Sequence, residues 1–328
     1  MKWRHNRAAA ASITFDDGYL SQATIGKDLL RTKDLRGTFF LAIASLQWGD
    51  GATWDLWRSV AAEGNEIGSH SMNHPYLTEL TEEQLRLELG QSQEVINSNI
   101  PNQSCLTFCY PYGAYNDFVK KMTAEYYIAS RYYEDPDGYN FYPGSAYGLI
   151  NFYQIRSFSV DYHTIDQLKI YLDTAVQRNA WICIHLHSIA DPKIEQRLSE
   201  YLDELLKRNI WVDTLGTVVR YMRERIASTI AVLSENDAEI TLSLSHALDN
   251  SIYHLPLTIR STVPNSWSKV LITQGSSKYT VTPAIENGER TVYYEAVPNG
   301  GVISLLPEKT RLPSKISRDP RKKKQGSE

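Results

Sequence analysis

Ala10-Ala11-Ser12-Ile13-Thr14-Phe15-Asp16-Asp17-Gly18 is a short apolar run that ends on two acids and a glycine. Small and apolar side chains through Phe15 predict a strand inside a core, and Gly18 predicts the sharp turn by which the chain leaves it. Two carboxylates at the mouth of a buried strand are costly unless a cation or hydrogen-bond donors surround them. Further along, His70-Ser71-Met72-Asn73-His74 supplies two imidazoles four residues apart, a spacing that on a helical turn puts both rings on one face. Alone, that spacing more often marks surface or capping histidines. Beside the acidic turn it predicts a metal centre of one carboxylate and two imidazoles, with positions left open for water and substrate.

Outward from these motifs the chain alternates. Strand-like segments at 11–15, 37–43, 66–69, 106–110, 126–131, 154–160, 181–186 and 211–213 are interleaved with amphipathic stretches such as 81–97, 165–178 and 193–208. This is the alternation of a parallel sheet or barrel, in which functional groups collect at the carboxyl ends of the strands. Thr81 to Gln84 reads as a capping box, and Asn209 as the left-handed residue that ends a helix. After about Arg225 the texture changes to short alternating strands at 239–244, 255–261, 269–273, 278–282, 291–296 and 301–305, separated by turns such as Asn287-Gly288 and Pro298-Asn299-Gly300. The expectation is a β-sandwich accessory domain over 226–310, following a catalytic domain over 1–225, with a disordered basic tail over 311–328. Such a sandwich binds carbohydrate or packs as a structural unit; the structural role is the expected one.

With 328 residues, 42% hydrophobic, 22% charged and a formal charge of −4, the chain can bury a large core. No basic excess points to nucleic acid; the one basic cluster, Arg321-Lys322-Lys323-Lys324, lies in the tail. The aromatic content, with 21 Tyr and 7 Trp, gives mild support to a sugar-binding cleft. Cys105, Cys109 and Cys183 are expected to be buried thiols and not a disulfide framework. No run reaches the ~20 apolar residues of a membrane span, and the first eleven residues lack the apolar stretch of a signal peptide.

The motifs carry a family resemblance. Thr14-Phe15-Asp16-Asp17-Gly18, then His70 to His74, then Tyr110-Pro111-Tyr112-Gly113, then an apolar strand ending Leu186-His187-Ser188-Ile189, resemble in order and context the polysaccharide deacetylases, the NodB-like domain of carbohydrate esterase family four. The resemblance covers roughly residues 8 to 225. It implies a distorted, incomplete (β/α) barrel, where periodicity alone leaves an open sheet equally possible. It also implies a metal-dependent hydrolase that removes acetyl groups from a carbohydrate, N-acetyl of an amino-sugar polymer or O-acetyl of a polysaccharide, by attack of a metal-activated water.

In that reading Asp17, His70 and His74 hold a divalent metal and Asp16 is the general base. The backbone amide of Tyr112 helps hold the oxyanion, and His187 is the general acid. The competing reading of Asp16 and Asp17 is a helix cap near Ser21; that of the Tyr112 turn is a tight turn without a catalytic part. Two positions depart from the family. His185 stands where a Leu usually lines the acetyl pocket, and Cys109 where an Arg usually orients the base. Arg131, or less directly Arg156, is expected to supply that guanidinium. Asp161, with Asp166 as the alternative, is expected to support His187. Zn²⁺ is the first choice of metal, with Co²⁺ or Ni²⁺ as alternatives. The implied partner is an acetylated oligo- or polysaccharide, which places the protein outside the cell, in the periplasm or at the cell surface. The alternatives are a catalytically idle carbohydrate-binding relative and an amidase acting on a non-sugar amide. No protein partner is readable.

Overall fold

The computed structural model describes residues 3–133, 138–141 and 150–308; the basic tail lies outside them. Nine strands form one sheet: β1 (Ala9–Phe15), β2 (Thr38–Leu41), β3 (Glu66–Ser69), β4 (Thr107–Cys109), β5 (Ala129–Arg131), β6 (Tyr139–Asn140), β7 (Phe158–Ser159), β8 (Trp181–Leu186) and β9 (Ile210–Val212). The order is β5-β4-β3-β2-β1-β8-β6, with β7 added on β8 and β9 on β1. All these pairings are parallel except that of β6 with β8. The helices are α1 (Lys27–Thr32), α2 (Trp54–Ala62), α3 (Glu82–Arg86), α4 (Ser92–Asn99), α5 (Asp117–Thr123), α6 (Ile165–Arg178), α7 (Pro192–Leu206) and α8 (Leu215–Ala227). The sheet is a curled half-barrel dressed with helices, the distorted (β/α) barrel that the resemblance implies.

β1 is central because every one of its residues is buried. It pairs with β8 along Ala10 to Phe15, and on its other edge with β9 at the start and β2 at the end. Phe15 stacks on Phe39 at 4.4 Å between ring centroids, and Phe39 tilts against Trp57 at 5.7 Å. At the opposite end of the barrel one carboxylate ties four elements together. Glu66 accepts from Thr38 (2.8 Å), Thr107 (2.7 Å) and the amide of Gly216 (2.8 Å) at the start of α8. A Cβ at Gly216 would fall 2.4 Å from Glu66 Oε1, so that close approach requires glycine.

Several local expectations need correcting. His70 and His74 do not share a helical turn: β3 ends at Ser69, and residues 71–74 form a loop with left-handed backbone at Ser71 (φ 73°) and His74 (φ 60°). Asn209 is not among the left-handed residues; Asn179 (φ 53°) ends α6 in that conformation. The stretch after Thr81 begins with the capping box, but it is two α-segments joined by a π-helical turn at Leu87–Gln91. A second π-helical turn, Gln22–Gly26, follows the acidic turn and has no side-chain cap, so Asp16 and Asp17 do not cap it.

The remaining strands are β10 (Thr229–Glu235), β11 (Ile240–Ser245), β12 (Leu257–Val263), β13 (Val270–Gln274), β14 (Ser277–Val281), β15 (Ala284–Glu286), β16 (Glu289–Ala296) and β17 (Ile303–Pro307). They form a five-stranded sheet, β10-β11-β17-β13-β14, and a three-stranded one, β12-β16-β15. β10 and β15 have no counterpart in the sequence reading, because β10 is exposed along its whole length and β15 is only three residues long. Two compact units result, and they do not divide at one point in the chain. The first takes the chain up to Thr229 with Ser245–Thr258 and Glu295–Pro298; the second takes Ile230–Leu244, Ile259–Tyr294 and the stretch from Asn299 on. Leu242, Val270, Ile272, Val292 and Leu305 are buried among the second unit's residues.

Candidate active site

The site is built at the carboxyl ends of β1, β3, β4, β5 and β8, where alternation stops and side chains turn inward. Asp17 follows β1 with left-handed backbone (φ 79°), and Gly18 (φ 101°) completes the turn. A Cβ at Gly18 would meet Ser45 Oγ at 2.7 Å, which explains why glycine follows the two acids. Holding an Asp left-handed costs about 1–3 kcal/mol, the kind of strain that surrounding structure must impose.

Asp17 Oδ1 lies 3.3 Å from His74 Nε2 and 3.5 Å from His70 Nε2, and the two ring nitrogens are 3.2 Å apart. Tetrahedral bonds of ~2.1 Å to one ion would set their ligand atoms ~3.4 Å apart, so this triad fits a divalent ion closely. The Nδ1–H of His70 donates to the Cys109 carbonyl at 2.7 Å, which leaves Nε2 unprotonated for the ion. Asp16, His70 and Cys109 form a second cluster of comparable size. It suits an ion less well: burial pushes the Cys109 thiol well up, against the opposing pull of Arg131, and Asp16 is already engaged.

Asp16 is buried, and the Arg131 guanidinium donates to both of its oxygens. Arg131 also donates to Ser157 Oγ (2.8 Å) and approaches Cys109 Sγ at 2.8 Å. Burial alone would raise the Asp16 carboxyl; Arg131 first, then the neighbouring histidines, hold it well below the usual carboxylate range. Of the two arginines considered from sequence, Arg131 is thus the one in contact with this acid, and Cys109 sits beside it.

His187 Nδ1 is 2.7 Å from Asp161 Oδ2, and its backbone amide donates to the same oxygen at 3.3 Å. Burial depresses this imidazole, but Asp161, with Asp16 and Asp17 further off, raises it to about 9. Asp166 is elsewhere, in the first turn of α6, paired with Lys169 at 3.4 Å. Tyr112 (φ 59°) and Gly113 (φ 67°) form a left-handed turn after β4, and His185 is buried on β8 with Nδ1 2.9 Å from Ser157 Oγ. Asp16, Asp17, His70, His74, Arg131, His185 and His187, with the Tyr112 turn and Cys109, line one cavity of about 330 Å³; Ser157 and Asp161 stand behind it.

Sequence reading missed three kinds of residue here. Glu88, in the π-helical turn, accepts from the amides of Met72 (3.0 Å) and Asn73 (2.9 Å) and from the Asn73 side chain (2.8 Å), fixing the loop that carries His74. Gln22, in the other π-helical turn, donates to the carbonyls of Asp16 and His187, tying β1 to β8 above the cavity. Tyr76 and Tyr162 are the third kind: Tyr76, 49% exposed, stacks at 4.1 Å on the already named Tyr112, 58% exposed, and Tyr162 is 75% exposed, so the rim is aromatic and open. Glu88 and Gln22 look like ordinary polar helix positions in sequence, and only their placement shows their use.

Residues 4–129 match the family described as polysaccharide deacetylase. Among curated proteins, a gellan lyase from a Bacillus species is 26% identical over 338 residues, 93% of this chain and 13% of that protein. A peptidoglycan-N-acetylglucosamine deacetylase of Listeria monocytogenes is 31% identical over 109 residues, 33% of this chain and 22% of that protein. The chain therefore spans only a minor part of the length of either relative. A solved structure from Mycobacterium smegmatis, assigned to the polysaccharide deacetylases, superposes with a TM-score of 0.57 at 16% identity, over 69% of this chain and 94% of that one, a likeness of fold. Motif order and barrel agree with the family match over residues 4–129, and there the chain resembles the NodB-like polysaccharide deacetylases of carbohydrate esterase family four.

Proposed function

We propose that this protein is a metal-dependent hydrolase that removes acetyl groups from a carbohydrate. The observation that carries the reading is the convergence on one cavity of the Asp17, His70 and His74 triad, the Asp16–Arg131 pair and His187, which Asp161 backs from behind. A divalent ion, Zn²⁺ before Co²⁺ or Ni²⁺, would supply Lewis-acid activation of a water and of the acyl carbonyl when bound by the triad. Asp16, kept ionised by Arg131, takes the proton of the attacking water as general base. The left-handed turn at Tyr112 offers a backbone N–H to the developing oxyanion. His187, kept protonated by Asp161 and partly open to solvent, gives a proton to the departing sugar nitrogen or oxygen. The exposed tyrosine pair gives sugar rings a face to lie on.

The relatives' names, which carry peptidoglycan, chitin and gellan, favour a polymer of the cell exterior as substrate, and with it an extracellular, periplasmic or cell-surface location. Among the described residues no helix is long and apolar enough to cross a membrane. We further propose that 226–310 serves as an accessory domain.

The test is acetate release from chitin oligosaccharides, peptidoglycan and acetylated xylan by the zinc-loaded protein, with Asp16→Asn in parallel. Release by the wild type that falls at least ~100-fold in the variant, at unchanged zinc content, supports the mechanism. No release by protein that holds one zinc per chain sinks it, and leaves an idle carbohydrate-binding relative or an amidase on a non-sugar amide.

A further inference from the structure

The proposed reaction leaves one wall of the cavity unassigned. A substrate's carbonyl oxygen faces the triad and the Tyr112 turn, water approaches from Asp16, and the leaving group lies against His187, the more exposed end. The acyl substituent is left with the wall formed by His185, Arg131 and Tyr133. That wall is polar. His185 is two residues before His187 on β8 and so on the same face, with ring centroids 5.8 Å apart, and the Tyr133 ring packs edge-on against it at 5.1 Å.

Ser157 sets the tautomer of His185. Its Oγ receives an N–H from Arg131 Nη1 (2.8 Å), lies 3.0 Å from the Tyr132 carbonyl, and lies 2.9 Å from His185 Nδ1. A serine hydroxyl has one proton. A carbonyl can only accept, so all three contacts are bonded only when that proton goes to Tyr132 and His185 Nδ1 carries the ring's own proton. Burial, with the Arg131 charge added, holds the ring well below its ordinary pKa and therefore neutral. Nδ1 is turned to Ser157, which does not line the cavity; the edge left to the cavity carries Nε2, a bare acceptor with no hydrogen-bond partner among the described residues. An acyl methyl placed there would displace water and leave that acceptor unmet, and sites with an unmet buried hydrogen-bonding group discriminate strongly against the ligand that leaves it so.

We propose that the acyl end of this site takes a 2-hydroxyacyl group, glycolyl in the simplest case, in preference to acetyl, with the acyl hydroxyl donating to His185 Nε2. This rests on the deacylase reading above and narrows its substrate. The step is a hydrolysis: the water oxygen bonds to the acyl carbon, the carbon–nitrogen or carbon–oxygen bond to the sugar breaks, the sugar atom takes the proton, and glycolate leaves. No further reactant is needed.

The experiment compares glucosamine oligosaccharides that differ only in carrying N-acetyl or N-glycolyl groups, with matched O-acetyl and O-glycolyl sugars, on zinc-loaded wild type, His185→Leu and His185→Gln. Acetate and glycolate are also titrated into each protein by calorimetry. The expected result is a wild-type kcat/KM at least about tenfold higher for glycolyl than for acetyl, a ratio near one or inverted in His185→Leu, and retention in His185→Gln, whose amide oxygen still accepts. Equal or acetyl-favouring turnover by the wild type overturns the proposal, as does a glycolyl preference that survives in His185→Leu. If neither acyl group is released by any of the proteins, the deacylase reading fails, and the titrations still decide the pocket. Chelation of zinc by glycolate is common to all three proteins, so only a glycolate advantage lost in His185→Leu supports the inference, and an unchanged one overturns it.

Discussion

Arg131 sets the charge balance of the site, because it is buried, donates to both oxygens of Asp16 and also holds Ser157. Removing one member of a buried ion pair leaves the other uncompensated, so Arg131→Met should lower stability by about 3–5 kcal/mol, read as a fall in the chemical denaturation midpoint. Lysine should not restore activity, since a point charge cannot reproduce the fork that spans Asp16, Ser157 and Cys109. His187 gives a pH prediction of definite sign. Burial lowers it, but Asp161 and the nearby acids raise it to about 9, and in the proposed reaction the protonated ring is the acid. Activity should therefore hold below that value and fall as pH rises through it; a divalent cation in the triad, by repelling the imidazolium, moves this limb down. Asp161→Asn should bring the alkaline limb of kcat/KM to lower pH, towards the ordinary histidine value of about 6.5, and an unmoved limb would remove His187 as the titrating acid. The contribution of the pair to stability has the same sign: complete below about 6.5, lost as pH climbs towards about 9.

At the scale of elements, two π-helical turns do what the strands cannot. Leu87–Gln91 adds one residue to the turn between α3 and α4, and within it Glu88 receives three hydrogen bonds from the loop that carries His74. Outer groups that fix a ligand loop commonly matter to metal affinity by roughly 10–100-fold. Glu88→Ala should weaken zinc binding by about that factor in a competition titration with a chelator, while β3 and His70 stay in place; unchanged affinity would show that the loop holds itself. What could be read in the sequence follows from the same division. β1, β8 and the acidic turn were legible because a fully buried strand is continuous in apolar residues and a left-handed exit demands Gly18. The His70 to His74 spacing pointed to two rings that do come together, but through the wrong local structure, because two left-handed residues in a loop bring them together as well as one helical turn does. Arg131 was legible only as an end-of-strand candidate beside Arg156, and Asp161 only through the resemblance, with Asp166 as the alternative, since nothing in spacing says which side chain crosses the barrel. Glu88 and Gln22 were not legible, because a π-helical turn leaves no periodic signature distinct from the helix around it. β10 escaped because an exposed strand has no buried face to impose alternation.

At the scale of the whole molecule, the proposed metal site and a β core offer two separate handles on stability. In the proposed function the folded triad binds an ion that the unfolded chain does not, and such binding should stabilise the unit that contains Asp17, His70 and His74 by RT ln(1 + [L]/Kd), or about 4 kcal/mol at a thousandfold excess over Kd. Ile272 is buried in the second unit, on a strand paired on both sides, and truncating such a side chain to alanine costs about 2–5 kcal/mol. If residues 226–310 fold as an accessory domain, calorimetry should resolve two transitions, one lowered by removing the metal with a chelator and the other by Ile272→Ala. Each perturbation should leave the other transition within a degree or two, and Ile272→Ala should retain full zinc content. A single transition shifted by both would mean that the β strands belong to the barrel's own cooperative unit, for which the chain already gives a physical route. Ser245–Thr258 and Glu295–Pro298 cluster with the first unit, and the amide of Leu255 donates to buried Glu224 on α8 at 2.9 Å. Burial raises that carboxyl from 4.5 to about 7, so the buried arrangement binds a proton more tightly than the exposed one and loses stability as pH rises through that range. Repeating the calorimetry at pH 8 and pH 5.5 separates the cases: an anchor made by Glu224 predicts one transition at the lower pH and two at the higher, whereas independent domains give two at both.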